Sequence, residues 1–554
     1  MPEKLRDLLG GLAALALGIA GYFVVFGWWP LIPTNIAFLD HADRAMHTLG
    51  WMFYRDVPWG VPPGSSPNLG VELANSIALV DGLPLFAVPL KLVALWLPRP
   101  FQYWGYWWLL CFMLQAAFAY LLALEMGARR SVAVLAAGFA IITPAFIFRL
   151  TLHMALSGHW VIIAALYLYA KRTPPRLWAW PLLCAVTASI HAYLLAMVLA
   201  IWLAAWLQRI WLKRFTWSGA IGEAIVAAVA TAVVLWFVGF FYTGSVGSYG
   251  FGFYRLNLLW PFITYRDWSQ LFPDLPHGDY DYEGLSFLGI GIFAILALSI
   301  LTGAFLKLRV LASRRWAPLM VMAVFLSICA LSNHIGLLNL EAPEIKIEGA
   351  LKFLGETFRS SGRFVWPLLY TITVGAVVLL GRRLPPLIAV GVLAVCFAAQ
   401  VWDSSVGWQS FARSDPPPAD HWDNALSSPF WSRAAAAGYN RIRAIPVVYK
   451  NPDWRDLEYA AYLNGWQVDA IYLGRVDDND LAALQAKEDA AVESGDFEPK
   501  TLYILDLPTA IEIYPHLHTD DLLAYIDKHI VFARGAASLV QGLDIDPQMG
   551  VGGD

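Results

Sequence analysis

The stretch LDHADRAMHTLGW, residues 39–51, places two carboxylates and two imidazoles shortly after the first long apolar run of the chain. Asp43, His47 and Trp51 follow one another at intervals of four, so on a helix they would share one face. Asp43 could then act as a general base that takes a proton from an acceptor hydroxyl. The alternative is a plain interfacial helix, with Asp40 as its N-terminal cap and Trp51 as a belt aromatic.

A second motif, FRSSGRF at residues 358–364, offers fixed positive charge. Arg359 and Arg363 are four residues apart, and the serines and Gly362 between them supply hydroxyls and room for a close backbone approach. A lipid phosphate has to be neutralised where water is scarce, and guanidinium groups are suited to this. The motif therefore predicts a phosphate clamp. Its competing interpretation is a pair of arginines that snorkel to the interface and anchor the next helix.

A third motif, FRLTLHMALSGHW at residues 148–160, contains Arg149, His153 and His159. These side chains could bind phosphate or orient an acceptor, and they could equally be histidines satisfied within the core. Together with Asp43 and His47 they form no recognised ligand spacing, so the sequence predicts no metal site. A Mg²⁺ or Mn²⁺ ion that bridges carboxylates and phosphate oxygens stays open.

The segment from Asn257 to Gly289 is a long loop rich in tyrosine and tryptophan, which is typical of a sugar or polyprenyl groove and also of an interfacial cap. Glu283 could hydrogen-bond a sugar hydroxyl or favour the positive end of the helix that follows. The full set of candidate substrate-binding residues is His47, Trp51, Glu72, Arg149, His153, His159, Arg255, Glu283, Arg359 and Arg363, with Asp43 and Asp40 as candidate catalytic residues.

Composition sets the class of protein that must position these side chains. Of 554 residues, 58% are hydrophobic and 14% are charged, and apolar runs long enough to cross a bilayer recur along the chain. The net charge of −4 and the lack of a basic tract argue against a nucleic-acid partner. All four cysteines lie in apolar runs, which favours buried thiols over a disulfide framework.

Charged loops predict the topology. Basic residues cluster in every second loop and carboxylates in the alternate loops, so the positive-inside rule places the acidic loops outside. The segment 82–98 is short, contains Pro84 and Pro89 and carries Lys91, which predicts a helix in the outer interface that does not cross. The eleven predicted spans lie near residues 8–29, 102–124, 131–148, 159–170, 177–191, 192–209, 219–241, 285–306, 316–332, 364–380 and 385–402.

The predicted organisation is therefore a polytopic α-helical membrane domain over residues 1–402, with a long first outer loop at 30–101, and an extracytoplasmic α/β domain over residues 403–554. The C-terminal part is polar and alternates strand-like runs (AIPVVY, AIYLG, TLYILDL, HIVFA) with helical stretches such as DNDLAALQAKEDAAVESG. It contains no Gly-rich phosphate loop after a strand, so no nucleotide site is predicted there.

Four segments carry a resemblance over nearly the whole chain: DRAMHTLGWMFYRDVPWG, HMALSGHWVIIAALYLY, YEGLSFLGIG and FRSSGRFVWPLLY. They are similar to a bacterial family of unknown function, and the layout of first helix, long acidic outer loop and Pro-interrupted PLFAVPLK helix resembles the GT-C superfamily of integral-membrane glycosyltransferases. In that superfamily a carboxylate of the first outer loop is the catalytic base, which implies Asp43 by position. The adjacent acid pair of several branches is missing here, so Asp40 competes for the role.

The resemblance implies an inverting glycosyltransferase without a resident cofactor in a bacterial inner membrane, with its C-terminal domain in the periplasm. Its partners would be a polyprenyl-phosphate-linked sugar donor, membrane lipid and a glycan or lipid acceptor. Two alternatives stay open. An O-antigen-ligase-like transferase would use outer Arg and His residues with a diphosphate carrier. A transporter would need ionisable residues at the bilayer midplane, for which His191 and Glu223 are the candidates.

Overall fold

The computed structural model of the chain describes residues 3–243, 250–265, 268–306, 313–414 and 416–545. The last residues of the predicted C-terminal domain, 546–554, thus lie outside the described part. The α-helices are numbered α1 to α19 and the strands β1 to β7 along the chain. The chain divides into two compact units, the first made of residues 1–38, 102–234 and 247–418 and the second of residues 39–101, 235–246 and 419–554.

The first unit is almost entirely helical. Its helices are α1 (Glu3–Phe26), α4 (Trp104–Glu125), α5 (Arg130–Ile141), α6 (Pro144–Thr151), α7 (Trp160–Ala170), α8 (Ala179–Ala188), α9 (Ala192–Trp211), α10 (Trp217–Phe237, within this unit up to residue 234), α11 (Ile290–Leu301), α12 (Ala317–Leu331), α13 (Gly349–Thr357), α14 (Trp366–Arg383) and α15 (Pro386–Ser414). A short hairpin pairs β1 (Gly336–Leu337) with β2 (Leu340–Glu341).

Membrane association follows from the length and composition of these helices. Among the described residues six helices are long and apolar enough to cross a membrane, namely α1, α4, α9, α10, the segment Ser361–Arg383 and the segment Pro386–Gln409. A seventh crossing would be α5 with α6, which are bent by 43° at the break between them. The predicted number of eleven is not confirmed, because the apolar helices in the other four segments have only 10–17 residues.

Helix α4 is more than half buried within the first unit, and glycines let other segments approach it closely. A Cβ atom on Gly18 of α1 would lie 2.7 Å from the carbonyl oxygen of Phe112, and one on Gly105 would lie 1.9 Å from that of Pro30. Small residues at such contacts are typical of helices that pack in a membrane. The four cysteines are free thiols, as predicted, with Cys329 half-buried and the rest buried.

Helix α15 extends past the domain boundary that was predicted after Trp402. The helix continues to Ser414, and the second unit resumes only at residue 419. Asp403 explains part of this continuation, because its Oδ1 accepts hydrogen bonds from Ser269 Oγ at 2.7 Å and from the Gln270 amide at 3.0 Å. A polar sequence here is therefore helical and packed within the first unit.

The second unit contains a five-stranded mixed sheet in the order β4-β3-β5-β7-β6. Strand β3 (Arg441–Ile445) runs parallel to β4 (Gln467–Val468) and β5 (Thr501–Leu505), and β7 (His529–Ala533) runs antiparallel to β5 and to β6 (Leu522–Ile526). The helices of this unit are α2 (Ala42–Asp56), α3 (Pro84–Leu92), α16 (Pro429–Ala436), α17 (Trp454–Asn464), α18 (Asp478–Ser494) and α19 (Leu507–Ile513).

Two predicted strands are shorter or absent. AIPVVY ends as a strand at Ile445, because Pro446 has no N–H to donate to the ladder. AIYLG is not a strand; the chain pairs earlier, at β4, and β6 was not predicted. TLYILDL, HIVFA and the helical stretch from Asp478 to Ser494 agree with the sequence-based expectation.

Residues 39–101 of the first loop belong to the same unit as this sheet. The Val468 amide donates to the carbonyl of Asn68 at 3.0 Å, and the Gly70 amide donates to the carbonyl of Val468 at 2.8 Å, so the loop continues the sheet beyond β4. The segment predicted to lie in the interface forms α3, which has nine residues and is too short to cross a bilayer.

Candidate functional site

A buried carboxylate between two guanidinium groups is the most concentrated charge in the first unit. Glu283 Oε2 lies 2.9 Å from Arg149 Nη1 and 2.7 Å from Arg363 Nη2, and it accepts a hydrogen bond from Arg363 Nε at 2.8 Å. His153 Nε2 lies 3.4 Å from the other carboxylate oxygen. Arg149, Glu283 and Arg363 are 1%, 3% and 4% exposed. We refer to these four residues as the arginine cluster.

Three local structures present these side chains. Arg149 lies in α6, Glu283 in a 3₁₀ turn at Asp281–Gly284, and Arg363 in a 3₁₀ helix at Ser361–Val365. The two 3₁₀ elements meet through glycines, since a Cβ atom on Gly362 would lie 2.9 Å from the Cα of Gly284. The close approach expected of Gly362 is therefore an approach to the protein backbone.

The charges of the arginine cluster do not cancel. Burial alone would raise the pKa of Glu283, but Arg149, Arg363 and His153 hold it well below its ordinary value of 4.5, so the carboxylate is ionised. One negative charge faces two guanidinium groups, which leaves one positive charge even when His153 is neutral. Arg149 Nε also has no hydrogen-bond partner among the described residues. A buried cluster of this kind favours an additional anion.

Aromatic rings surround the cluster. The Arg149 guanidinium lies 5.5 Å from the ring centre of Trp366, and that of Arg363 lies 4.7 Å from the ring centre of Tyr193. His159 packs against Trp366 with ring centres 4.1 Å apart and shares a 2.7 Å hydrogen bond with the hydroxyl of Tyr370. His159 is thus in the same buried region as Arg149.

Arg359 differs from the expectation for its motif. Its guanidinium lies 5.9 Å from the ring centre of Tyr254, whereas Arg363 pairs with Glu283. Helix α13 ends at Thr357 and the next helical turn begins at Ser361, so the residues between do not continue one α-helix. Residues four apart share a face only on a continuous helix. The arginines that come together are Arg149 and Arg363.

Arg255 is held by protein groups on all of its nitrogens. Its Nε donates to Asp281 at 3.1 Å, Nη1 to the carbonyl of His334 at 2.9 Å and Nη2 to Glu341 at 2.5 Å. These three contacts favour a structural role for Arg255, which fixes the turn carrying Glu283.

Helix α2 presents the candidate base in the second unit. Asp43 is in its first turn, and His47 and Trp51 follow on the same face, both fully buried. Trp51 Nε1 donates to the carbonyl of Phe101 at 2.8 Å. Trp51 is therefore a packed residue and not a belt aromatic. The N-cap of α2 is His41, so the interpretation of Asp40 as the cap is wrong.

Asp40 is bound by an arginine of the C-terminal sequence. Arg455 Nε donates to Asp40 Oδ1 at 2.7 Å, and Arg455 Nη2 contacts Oδ2. Because a guanidinium group already binds both carboxylate oxygens, it competes with the proton that the acceptor hydroxyl would transfer to Asp40. Asp40 is thus tied to the C-terminal sequence, and the role of Asp43 as the base stays a prediction.

Glu72 joins a second charge network. Arg443 is fully buried and donates from Nη2 to both oxygens of Glu72 at 2.9 and 2.8 Å, while its Nε lies 3.0 Å from Asp469 and its Nη1 contacts Glu488. Burial would raise the pKa of Glu72, but Lys487 and Arg443 lower it to about 2. Glu72 therefore attaches the first loop to strand β3 through Arg443.

Sequence reasoning missed Arg443 and Arg455. Arg443 did have a signal, because it lies between apolar residues of a buried strand, where a charge needs a partner. Arg455 had none, since it lies in a helix with mixed composition.

A group of possible metal ligands occurs in the second unit at His518, Asp520 and Asp521. Asp521 is already committed to Arg534 and to the Gly535 amide at 3.0 Å. The carboxylate is therefore used by the protein, and these residues carry no metal argument.

Two models of known protein families match most of the chain. The family model described as Domain of unknown function (DUF6311) matches residues 15–405, and the model described as DUF6311 C-terminal domain matches residues 430–534. The chain belongs to the DUF6311 family. The resemblance to a family of unknown function is thus confirmed, and neither matching model describes a glycosyltransferase. No curated protein matches this DUF6311 chain.

The two DUF6311 models divide the candidate residues unevenly. The larger match includes the arginine cluster and the whole of α2, and the smaller match includes Arg443 and Arg455. Both matched regions therefore contribute charged residues to the second unit. Its first loop lies in the larger match and its sheet lies in the smaller one.

Proposed function

We propose that this chain is an inverting membrane glycosyltransferase that takes a sugar from a polyprenyl-phosphate carrier and transfers it to a glycan or lipid acceptor on the periplasmic side of a bacterial inner membrane. The observation that carries the proposal is the charge of the arginine cluster. Arg149 and Arg363 share one carboxylate among apolar helices, and the surplus positive charge matches the single negative charge of a phosphodiester.

The proposed reaction needs one base and no protein nucleophile. Asp43 takes the proton of the acceptor hydroxyl, the acceptor oxygen forms a bond to the anomeric carbon, and the bond from that carbon to the carrier phosphate breaks. The electron pair leaves with the phosphate, which is a good leaving group. A single direct displacement inverts the anomeric centre, unlike hydrolysis through a carboxylate pair that forms a covalent intermediate. The proposal requires no resident cofactor, and Mg²⁺ or Mn²⁺ stays open.

Two alternatives are less well supported. A diphosphate carrier, as used by an O-antigen-ligase-like enzyme, bears more negative charge than the arginine cluster offsets. A transporter would need open ionisable groups within the spans. Glu223 instead receives hydrogen bonds from Arg209 at 2.9 and 2.5 Å and from Trp202 at 3.0 Å, and His191 accepts from the Tyr193 amide at the start of α9.

The test measures the binding of a sugar-linked undecaprenyl phosphate, a phosphodiester with one negative charge, to the full chain in lipid nanodiscs. Arg149→Ala and Arg363→Ala should each weaken binding about 10- to 100-fold, since each removes a charge-assisted contact of about 1.5–3 kcal/mol. Arg359→Ala is the matched control and should bind like the wild type. Undecaprenyl diphosphate should bind no more tightly than the sugar-linked phosphodiester.

Unchanged binding in both cluster variants would overturn the assignment of the phosphate. A loss confined to Arg359→Ala would move the phosphate to Tyr254 and its neighbours. Tighter binding of the diphosphate would favour the ligase-like alternative.

A further inference from the structure

Arg443 is at the centre of a charge network in the second unit that contains more carboxylates than cations. The Arg443 side chain is fully buried and contacts three carboxylates. Lys487 Nζ lies 2.9 Å from Glu72 and 2.6 Å from Glu498. What we call the Arg443 network consists of the acids Glu72, Asp469, Glu488 and Glu498 and the bases Arg441, Arg443 and Lys487. Four carboxylates thus face three cations, which leaves one negative charge without a partner.

Asp469 is the carboxylate of this network that has the poorest hydrogen bonds. It is 4% exposed, and its Oδ1 accepts from the Ala444 amide at 3.1 Å. Arg443 Nε lies 3.0 Å from Oδ2, but Oδ2 accepts no hydrogen bond from the described residues. Burial raises the pKa of Asp469 from 3.8 to about 7, against the charge of Arg443, and the charges of Glu488 and Glu72 raise it further. Below neutral pH a proton on Asp469 therefore removes the surplus negative charge.

The elements next to Asp469 present the charged groups of the network, namely Arg441 and Arg443 on β3, Lys487 and Glu488 on α18, and Glu72 on the first loop. Helix α17 also packs against β4, and its buried Glu458 accepts a hydrogen bond from the Tyr472 amide at 3.3 Å. Burial raises the pKa of Glu458 well above 4.5, so this carboxyl is neutral near pH 7. It leaves the charge balance around Asp469 unchanged.

Glu72 is the carboxylate that can leave the network. Its side chain is 33% exposed, whereas those of Asp469 and Glu488 are each 3% exposed. Glu72 lies in a 3₁₀ turn whose first residue, Val71, has a φ of +49°, and Ala74, which follows the turn, has a φ of +42°. Left-handed backbone is disfavoured for residues with a Cβ atom, and most of all for a β-branched one. The turn therefore depends on the contacts of Glu72 to keep this conformation.

We propose that the Arg443 network is a pH-sensitive switch that holds the turn around Glu72 closed when Asp469 is protonated and releases it when Asp469 is ionised. An ionised Asp469 repels Glu72 and competes with it for Arg443, and Glu72 moves into water because it is already partly exposed. Since burial raises the pKa of Asp469 in the closed state, its contribution to closure is complete below about pH 3.8 and is lost as the pH rises through about 7. This inference does not rest on the proposed sugar transfer.

The test measures hydrogen–deuterium exchange of the full chain in lipid nanodiscs from about pH 5.5 to about pH 8.5, corrected for the intrinsic exchange rate at each pH. The reporters are the amides of residues 69–76, among them the Gly70 amide, which donates to the carbonyl of Val468 at 2.8 Å. Their protection should fall about tenfold over this range, because one linked proton changes an equilibrium by at most tenfold per pH unit. The amides of β7 should keep constant protection and serve as the internal reference.

Three variants of the network and one control identify the group that titrates. Asp469→Asn has no proton to lose and should keep the protection of residues 69–76 at its low-pH value throughout. Glu488→Gln removes the surplus negative charge and should also abolish the fall. Glu72→Ala should leave these amides weakly protected at every pH. Asp478→Asn, an exposed acid on the same helix as Glu488, is the matched control and should follow the wild type.

Constant protection of residues 69–76 in the wild type would overturn the proposal, and so would an unchanged fall in Asp469→Asn. An equal fall in the β7 amides would show that the whole unit loosens, which also overturns it. If Asp469→Asn loses the protection of β7 and thus fails to fold, Glu488→Gln decides the question. Constant protection in Glu488→Gln supports the switch, and the wild-type fall in that variant contradicts it.

Discussion

At the scale of residues, the structure shows the surroundings of two acids that the sequence could not rank. Asp40 is paired with Arg455 through both of its oxygens, while Asp43 follows in the first turn of α2. Neither arrangement could be read from the motif, since Arg455 is 415 residues away from Asp40 in the chain. The same limit applies to the arginine cluster, whose members are individually visible in the sequence but 134 and 80 residues apart.

Asp43→Asn should lower the rate of sugar transfer roughly 100- to 10,000-fold, because it removes the proton acceptor and keeps the shape of the side chain. Donor binding should persist, since the arginine cluster is unaltered. The measurement is transfer from a polyprenyl-phosphate sugar, compared with binding of the same donor. Asp40→Asn is the matched control, and it should keep the rate while lowering thermal stability. A dead Asp40→Asn with an active Asp43→Asn would exchange the two roles.

Lys91 makes stability depend on pH. It is buried, with Nζ 3.9 Å from the ring centre of Tyr54 and 4.9 Å from that of Trp59, and it has no hydrogen-bond partner among the described residues. Burial lowers the pKa of Lys91 from 10.5 to about 8, against the opposing charge of Asp56. Between these two values the unfolded chain binds the proton that the folded chain has released, so stability rises with pH.

The melting temperature of the full chain in detergent should therefore rise from pH 7.5 towards about pH 10 through this contribution. Lys91→Met should melt higher than the wild type at pH 7.5 and show a smaller rise. Exposed Lys352→Met serves as the control and should follow the wild-type slope. An unchanged slope in Lys91→Met would assign the pH dependence to another group.

At the scale of elements, periodicity predicted most helices but not their lengths. Apolar runs locate the segments that contain α7, α8, α11 and α12, yet these helices are shorter than a typical span, since glycines, prolines and polar turns end them inside the run. Strands were predicted where β-branched and aromatic residues alternate, as in β5 and β7, and missed at two-residue β4, where pairing with Asn68 and Gly70 supplies the hydrogen bonds. Such pairing is a tertiary effect that no local pattern encodes.

The two 3₁₀ elements of the arginine cluster can approach each other only with a glycine at position 362. A methyl group there would lie 2.7 Å from the carbonyl oxygen of Arg255 and 2.9 Å from the Cα of Gly284, and backbone atoms cannot yield cheaply. Gly362→Ala should destabilise the chain by about 1–3 kcal/mol and weaken phosphate binding, because the turn carrying Glu283 moves away from Arg363.

Gly391→Ala in α15 is the matched control, since a Cβ atom there meets nothing within 4 Å. It should leave both the melting temperature and the affinity for the sugar-linked undecaprenyl phosphate unchanged. Equal behaviour of the two variants would mean that the contact at Gly362 does not set the geometry of the cluster.

At the scale of the whole molecule, the described chain forms two compact units, and the second is assembled from distant stretches of sequence. Arg443 and Arg455 of the C-terminal sequence hold Glu72 and Asp40 of the first loop, and Val468 pairs with the loop backbone. A composition-based division at residue 402 could not find this arrangement, because it assumes that neighbours in sequence fold together.

Removal of residues 419–554 should therefore unfold the first loop as well. In membranes that contain the truncated chain, an added protease should cut within residues 39–101 at least about tenfold faster than in the full chain, because the loop loses its strand pairing and both arginine contacts. Arg443→Met with Arg455→Met should give an intermediate rate. A loop that resists cleavage equally in the truncated chain would show that it folds by itself.

The pairing of Asp40 with Arg455 can form only late in the synthesis of the chain. The two residues are 415 positions apart, so at about 5–20 residues per second the loop leaves the ribosome roughly 20 to 80 s before its partner exists. Throughout that interval the carboxylates of the loop stay hydrated and its strand edge stays open. During most of translation the first loop therefore lacks its partners. It can fold completely only when the last quarter of the chain has been made.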